Sequence, residues 1–184
     1  MTAFTIDLLR HGVTEKGSCF LGHTDAALTA EGWQQMQQGV AGVSPQDYAA
    51  IYSSPLQRCA AFSHDWVGDA VPLQLDARLR EYDFGDWDGH TAAEIHAREP
   101  DNLGRFWADP WHYTPPGAEP LPDFFARLEA CIDELQQCRQ GRVLLICHGG
   151  VIRALHCILN RLPVNDMFSY PVAHGSLHTF KDAR

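Results

Sequence analysis

At 184 residues, with 45% hydrophobic and 20% charged side chains, the chain has the size of one ordinary globular domain, residues 1–184, and needs neither disulfides nor a structural metal to fold. Collagen, coiled coil and wholesale disorder are excluded by the same figures. Lys and Arg number 14 against 23 Asp and Glu, a net charge of −9, the wrong sign for a nucleic-acid or anionic-membrane surface, so any anionic ligand must be held by a local cluster of cations.

Phe4 to Leu9 is short, apolar and partly branched, and runs into Arg10-His11-Gly12, which predicts a buried strand ending in a loop. From Leu28 the period becomes helical: Thr29 can cap, Glu31 lies in the first turn, and Trp33, Met36 and Val40 recur on one face. Ala50 to Tyr52 predicts a second strand. Ser54 as N-cap and Pro55 at the first helical position then predict a helix through Val67, with Arg58 in its first turn. A third strand is placed at Leu73 to Leu75, followed by a glycine-rich irregular stretch, Leu79 to Gly89.

Thr91 to Arg98 reads as a short helix and Phe106 to Gly117, rich in aromatics and proline, as a long structured loop. Phe124, Leu128, Cys131, Leu135 and Cys138 mark one apolar helix stripe. Val143 to Ile146 predicts a strand that delivers Cys147, His148, Gly149 and Gly150 to its end. Val151 to Leu159 predicts another helix, and Gly175 to Phe180 a final edge strand. Strands alternating with helices imply an α/β domain with a mostly parallel sheet, in which ligands sit at the carboxyl ends of strands.

The six cysteines form no CxxC pair and no zinc-finger spacing, so they are expected as free thiols, Cys131 and Cys138 as small hydrophobes of one helix face. Free thiols fit a reducing cytoplasm. Asp7 and Arg10 interrupt the first apolar stretch and no long uncharged apolar run follows, so no membrane association is expected.

Of ten histidines, His23, His64, His90, His96, His112, His156, His174 and His178 carry no flanking pattern that assigns a role, and surface positions are the expectation. His11 and His148 differ, because each follows an apolar strand and precedes a glycine that lets a ligand approach the backbone. Arg10 adjoins His11, and Arg58 begins a helix after a strand. Arginine presents a planar fork matched to phosphate oxygens. From spacing alone the two arginines can equally be surface ion-pair partners; gathered with the two imidazoles they make an oxyanion pocket.

Four runs, Leu9-Arg10-His11-Gly12-Val13-Thr14, Ser53-Ser54-Pro55-Leu56-Gln57-Arg58, Leu79 to Gly89 and Cys147-His148-Gly149-Gly150-Val151-Ile152-Arg153, resemble in order the signatures of the histidine phosphatase superfamily. That resemblance implies a three-layer, phosphoglycerate-mutase-like sandwich with a mostly parallel central sheet. It implies His11 as the phosphoryl-accepting nucleophile, Arg10, Arg58 and His148 as ligands of the equatorial oxygens, and Glu81 as acid and then base. Thr14, Gly17 and Gly149 would complete the substrate site. Guanidinium groups favour neutral imidazole, the nucleophilic form, and a bound phosphate would keep Glu81 protonated. No metal or cofactor is expected, because fixed cations supply the charge that phosphoryl transfer needs.

Two departures stand out. Where many relatives carry Trp-Asn this chain has Lys16-Gly17, and the Gly-Gly-Glu-Ser element becomes Gly117-Ala118-Glu119-Pro120, leaving Glu119 as pocket wall or helix-start structure. The chain is shorter than the family's mutases, which favours hydrolysis. Arg10 to Gly17 and Phe20 to Thr29 are most similar to bacterial α-ribazole phosphatases, implying release of the 5'-phosphate from α-ribazole 5'-phosphate or cobalamin 5'-phosphate. Phe106, Trp107, Trp111 and Tyr113 would then stack on the base or simply pack the loop. The alternatives are a phosphatase of small sugar phosphates or glycolytic esters and, in another class, a phosphate-reading regulatory module.

Overall fold

The computed structural model describes residues 4–138 and 141–181, the side chain of Cys138 excepted. Five strands, β1 (Thr5–Arg10), β2 (Ala50–Ser53), β3 (Leu73–Leu75), β4 (Arg142–Cys147) and β5 (Leu177–Lys181), form one sheet in the order β3-β2-β4-β1-β5. All pairs are parallel except β5 on β1, so the predicted edge strand closes an otherwise parallel sheet. Among the described residues there are six α-helices: α1 (Ala30–Gly39), α2 (Gln57–Val67), α3 (Ala92–Arg98), α4 (Pro100–Ala108), α5 (Leu121–Cys138) and α6 (Gly149–Asn160).

The period of two along each strand divides the interior into two cores. Ile6, Leu8, Tyr52, Val143 and Leu145 face Phe124, Leu128 and Ile132 of α5 and Val151 and Leu155 of α6. Leu9, Ile51, Leu144 and Ile146 face Met36 of α1 and Cys59 and Phe62 of α2. The result is the three-layer α/β sandwich expected. Asp7 points into the second core, where Tyr48 and Thr179 hydroxyls donate to its carboxylate at 2.8 and 2.7 Å and Arg142 pairs with it at 2.6 Å. These partners offset the cost of burying a charge inside a sheet.

Two elements differ from expectation. The helix after β2 starts at Gln57, with Leu56 as N-cap: the Gln57 amide is taken by the Asp25 carboxylate at 2.7 Å, and Ser54 Oγ accepts the Leu56 amide at 3.4 Å just ahead of the helix. Phe106 and Trp107, read as loop, lie on α4. Pro100 occupies its first position, where a missing N–H costs nothing, and the prolines at 110, 115 and 116 come after its end. The irregular stretch 79–89 holds only short 3-10 turns. Five cysteines are free thiols, four of them buried, and no helix among the described residues is long and apolar enough to cross a membrane.

Candidate active site

Arg10 pairs with Cys147 in the parallel register of β1 and β4, so His11 and His148 leave the sheet side by side, their ring centroids 5.2 Å apart. The β1 end is held tight against α1: a Cβ on Gly12 would collide with the Gly32 backbone, which only glycine permits. His11 Nδ1 lies 2.7 Å from the Gly12 carbonyl. A carbonyl only accepts, so Nδ1 carries the proton and Nε2 presents a bare lone pair. Burial first, and then the positive charge of Arg58, hold the His11 pKa well below its ordinary value.

A cleft of about 540 Å³ opens over His11, and Arg10, Thr14, Gly17, Glu81 and Gly149 share its lining. Arg10 donates Nη1 to the Val172 carbonyl at 2.6 Å, while its Nε is buried without a hydrogen-bond partner among the described residues. A Cβ on Gly149 would stand 3.1 Å from that Nε, so glycine is what lets the guanidinium lie over the start of α6. Glu81 accepts from the Gly150 amide at 2.9 Å through one oxygen and from the Tyr82 amide at 2.9 Å through the other. Gly17 adopts φ +64° and opens space beside Thr14, but its amide already donates to the Thr14 carbonyl at 3.1 Å.

Arg58 and His148 lie beneath this wall, both fully buried. Arg58 donates Nε to His148 Nδ1 at 3.2 Å, Nη1 to Thr24 O at 2.8 Å, and Nη2 to Leu21 and Gly22 carbonyls at 3.2 and 2.6 Å. Asp88 presents those carbonyls by accepting the Gly22 and Thr24 amides at 3.0 and 2.7 Å. Since arginine Nε has no lone pair, His148 Nδ1 is the acceptor, and its protonated Nε2 donates to Ser54 Oγ at 2.7 Å. Burial and then Arg58 depress the His148 pKa strongly.

Sequence reasoning missed several members. His174 contacts the His11 carbonyl through Nδ1 at 3.2 Å and Arg10 Nη2 through Nε2 at 3.4 Å; its signal was a third His–Gly pair, which precedes a strand instead of following one. The wall away from His11 is aromatic: Phe20 meets Phe84 at 4.8 Å and Trp107 at 6.1 Å between centroids, and Trp107 meets Phe168 at 5.2 Å. Trp107 is 47% exposed at the mouth. Trp111 and Tyr113 are not part of it. Trp111 packs on Phe125 over a separate hollow, and Tyr113 sits under the Arg105 guanidinium.

The description "Histidine phosphatase superfamily (branch 1)" belongs to the family model that matches residues 6–182. A glucosyl-3-phosphoglycerate phosphatase of Mycolicibacterium vanbaalenii is 34% identical over 180 residues, covering 91% of this chain and 78% of the relative. The adenosylcobalamin/α-ribazole phosphatase of Escherichia coli is 27% identical over 173 residues, covering 91% and 85%. The α-ribazole phosphatase of Shigella flexneri superposes with a TM-score of 0.83 at 26% identity, covering 98% of this chain and 94% of that one.

Proposed function

The chain belongs to the histidine phosphatase superfamily, and from that premise we propose that it removes the 5'-phosphate from α-ribazole 5'-phosphate, or from the corresponding cobalamin phosphate, through a phosphohistidine at His11. Hydrolysis of a small phosphate ester is the activity its phosphatase relatives carry. The bare Nε2 of His11 attacks phosphorus while Arg10 Nε takes an equatorial oxygen at the α6 N-terminus, where the helix dipole favours negative charge. Glu81 gives its proton to the departing alkoxide oxygen. It then takes a proton from the water that attacks the phosphohistidine, releasing phosphate and restoring the imidazole.

Arg58 and His148 lower the energy of the transferring group from below, as charge and as a fixed donor. For direct contact His148 must trade Ser54 Oγ for a phosphoryl oxygen. The aromatic wall opposite the phosphate end supports the choice of substrate: Phe20, Phe84, Trp107 and Phe168 offer faces and edges to a flat base, each well-placed ring adding roughly 1 kcal/mol, about a fivefold preference. One residue favours a second reading. Arg153 also lines the cleft, its guanidinium beside Gly149 and Arg10 at the phosphate end, where it could take the carboxylate of a glycerate ester.

The test is catalytic efficiency, under one condition, for α-ribazole 5'-phosphate, a purine nucleoside 5'-phosphate, fructose bisphosphate and 3-phosphoglycerate. The first is expected to be best. If a glycerate or sugar phosphate is best instead, the α-ribazole reading falls.

A further inference from the structure

The stretch that carries Glu81 has only 3-10 turns, so its backbone carbonyls must find donors from outside. One side chain supplies three of them. Arg127 of α5 donates Nη1 to the Arg78 and Arg80 carbonyls and Nη2 to the carbonyl of Glu81 itself at 3.0 Å. Its other edge meets Glu119, Nε to Oε2 at 3.1 Å and Nη2 to Oε1 at 2.7 Å, and Oε1 also accepts the Asp83 amide at 2.9 Å. Every N–H of the guanidinium is thereby used, and its carbon lies 4.6 Å above the ring of Phe124, which lines the cleft.

Glu81 is thus gripped at both ends: its carbonyl by Arg127, and its carboxylate by the Gly150 and Tyr82 amides. There is no slack at the second grip, since a Cβ on Gly150 would collide with Glu81 Oε1. We propose that Arg127, seated by Glu119, is a positioning residue for proton transfer at Glu81. This rests on the reading of Glu81 as acid. Lysine cannot replace the fork, because a point charge on a flexible stem cannot serve three carbonyls and a carboxylate in one plane. Arg127 makes no hydrogen bond to Arg10, His11 or Gly149, so phosphate binding should be spared when it is altered.

The experiment measures kcat/KM for p-nitrophenyl phosphate and for a primary-alkyl phosphate, with inhibition by orthophosphate, in Arg127→Lys, Arg127→Ala, Glu81→Gln and the Glu81→Gln/Arg127→Lys double variant. Arg127→Lys should lose about tenfold or more on the alkyl ester, which needs a proton on its leaving oxygen, and less than about threefold on the aryl ester. Orthophosphate inhibition should stay within about twofold, and Arg127→Lys should cost no more than about twofold on top of Glu81→Gln. The ratio between esters does not depend on how much of a variant is folded, so partial unfolding of Arg127→Ala leaves the comparison intact. A selective Glu81→Gln with an unselective Arg127→Lys, or a full additional loss in the double variant, overturns the inference alone. An unselective Glu81→Gln removes the acid role of Glu81 and the inference with it.

Discussion

At the end of β1, His11 donates its Nδ1–H to the Gly12 carbonyl and turns a bare Nε2 toward the cleft; at the end of the neighbouring β4, His148 accepts a hydrogen bond at Nδ1 from Arg58 Nε–H and donates its Nε2–H to Ser54. Both follow an apolar strand, both precede glycine, and both are neutral for the same reason, burial beside Arg58. The hydrogen-bond partner, and not the His–Gly pair, decides which nitrogen is free. A carbonyl leaves one imidazole with a free lone pair at Nε2, and a guanidinium makes a donor of the other.

The strongest way to break that contrast is to delete each ring in turn. His11→Ala should lower kcat/KM for an aryl phosphate by at least about a thousandfold, because the other imidazole lining the cleft, His174, has its Nε2 turned to Arg10 Nη2 at 3.4 Å. His148→Ala should cost about a hundredfold, as loss of a donor to the transferring group. A larger loss at His148 than at His11 would exchange their roles.

A smaller effect concerns pH. Each depressed imidazole takes a proton more readily in the unfolded chain than in the folded one, so stability is fully present above the ordinary histidine pKa of about 6.5 and falls as pH drops below it. The slope should approach about 1.4 kcal/mol per pH unit for each group, and His148→Asn should flatten it. Denaturant midpoints measured from pH 8 to pH 5 check this, and an unchanged midpoint across that range would contradict the buried neutral state. Smaller again is Ser54→Ala, which removes the acceptor of the His148 Nε2–H and should cost about 1 kcal/mol of stability with an activity loss of about fivefold. The smallest expected effect is none: exhaustive chelation should leave the rate unchanged, and a rate restored by added magnesium or zinc would replace the arginine-based account of charge.

Much of this arrangement was legible because strand ends and turn chemistry are local. The run from Thr5 to Gly12, that from Val143 to Gly149 and the stripe of α5 each reveal a buried face and the place where it ends. Local cues misled at Ser54, whose hydroxyl accepts the Leu56 amide ahead of the helix and also takes a hydrogen bond from His148, 94 residues away, and at residues 106–108, where aromatics before a proline-rich stretch concealed the end of α4. Gly17 was open as expected, yet its amide is consumed by its own turn. His174, Arg127 and Glu119 act through contacts across the fold, and no spacing in the chain encodes those distances. Of the aromatic segment only the part on α4 reaches the cleft. Trp111 points to a different hollow because it lies several residues past the helix end.

The most direct test of the contrast between the two imidazoles is to trap the covalent intermediate. Wild-type protein and the His11→Ala and His148→Ala variants would be mixed with labelled substrate, quenched in alkali, where a phosphoramidate survives, and digested for peptide mapping. The account predicts label on the peptide bearing His11 in the wild type and, at lower yield, in His148→Ala, with none in His11→Ala. Label on the peptide bearing His148, or label that persists in His11→Ala, would contradict it.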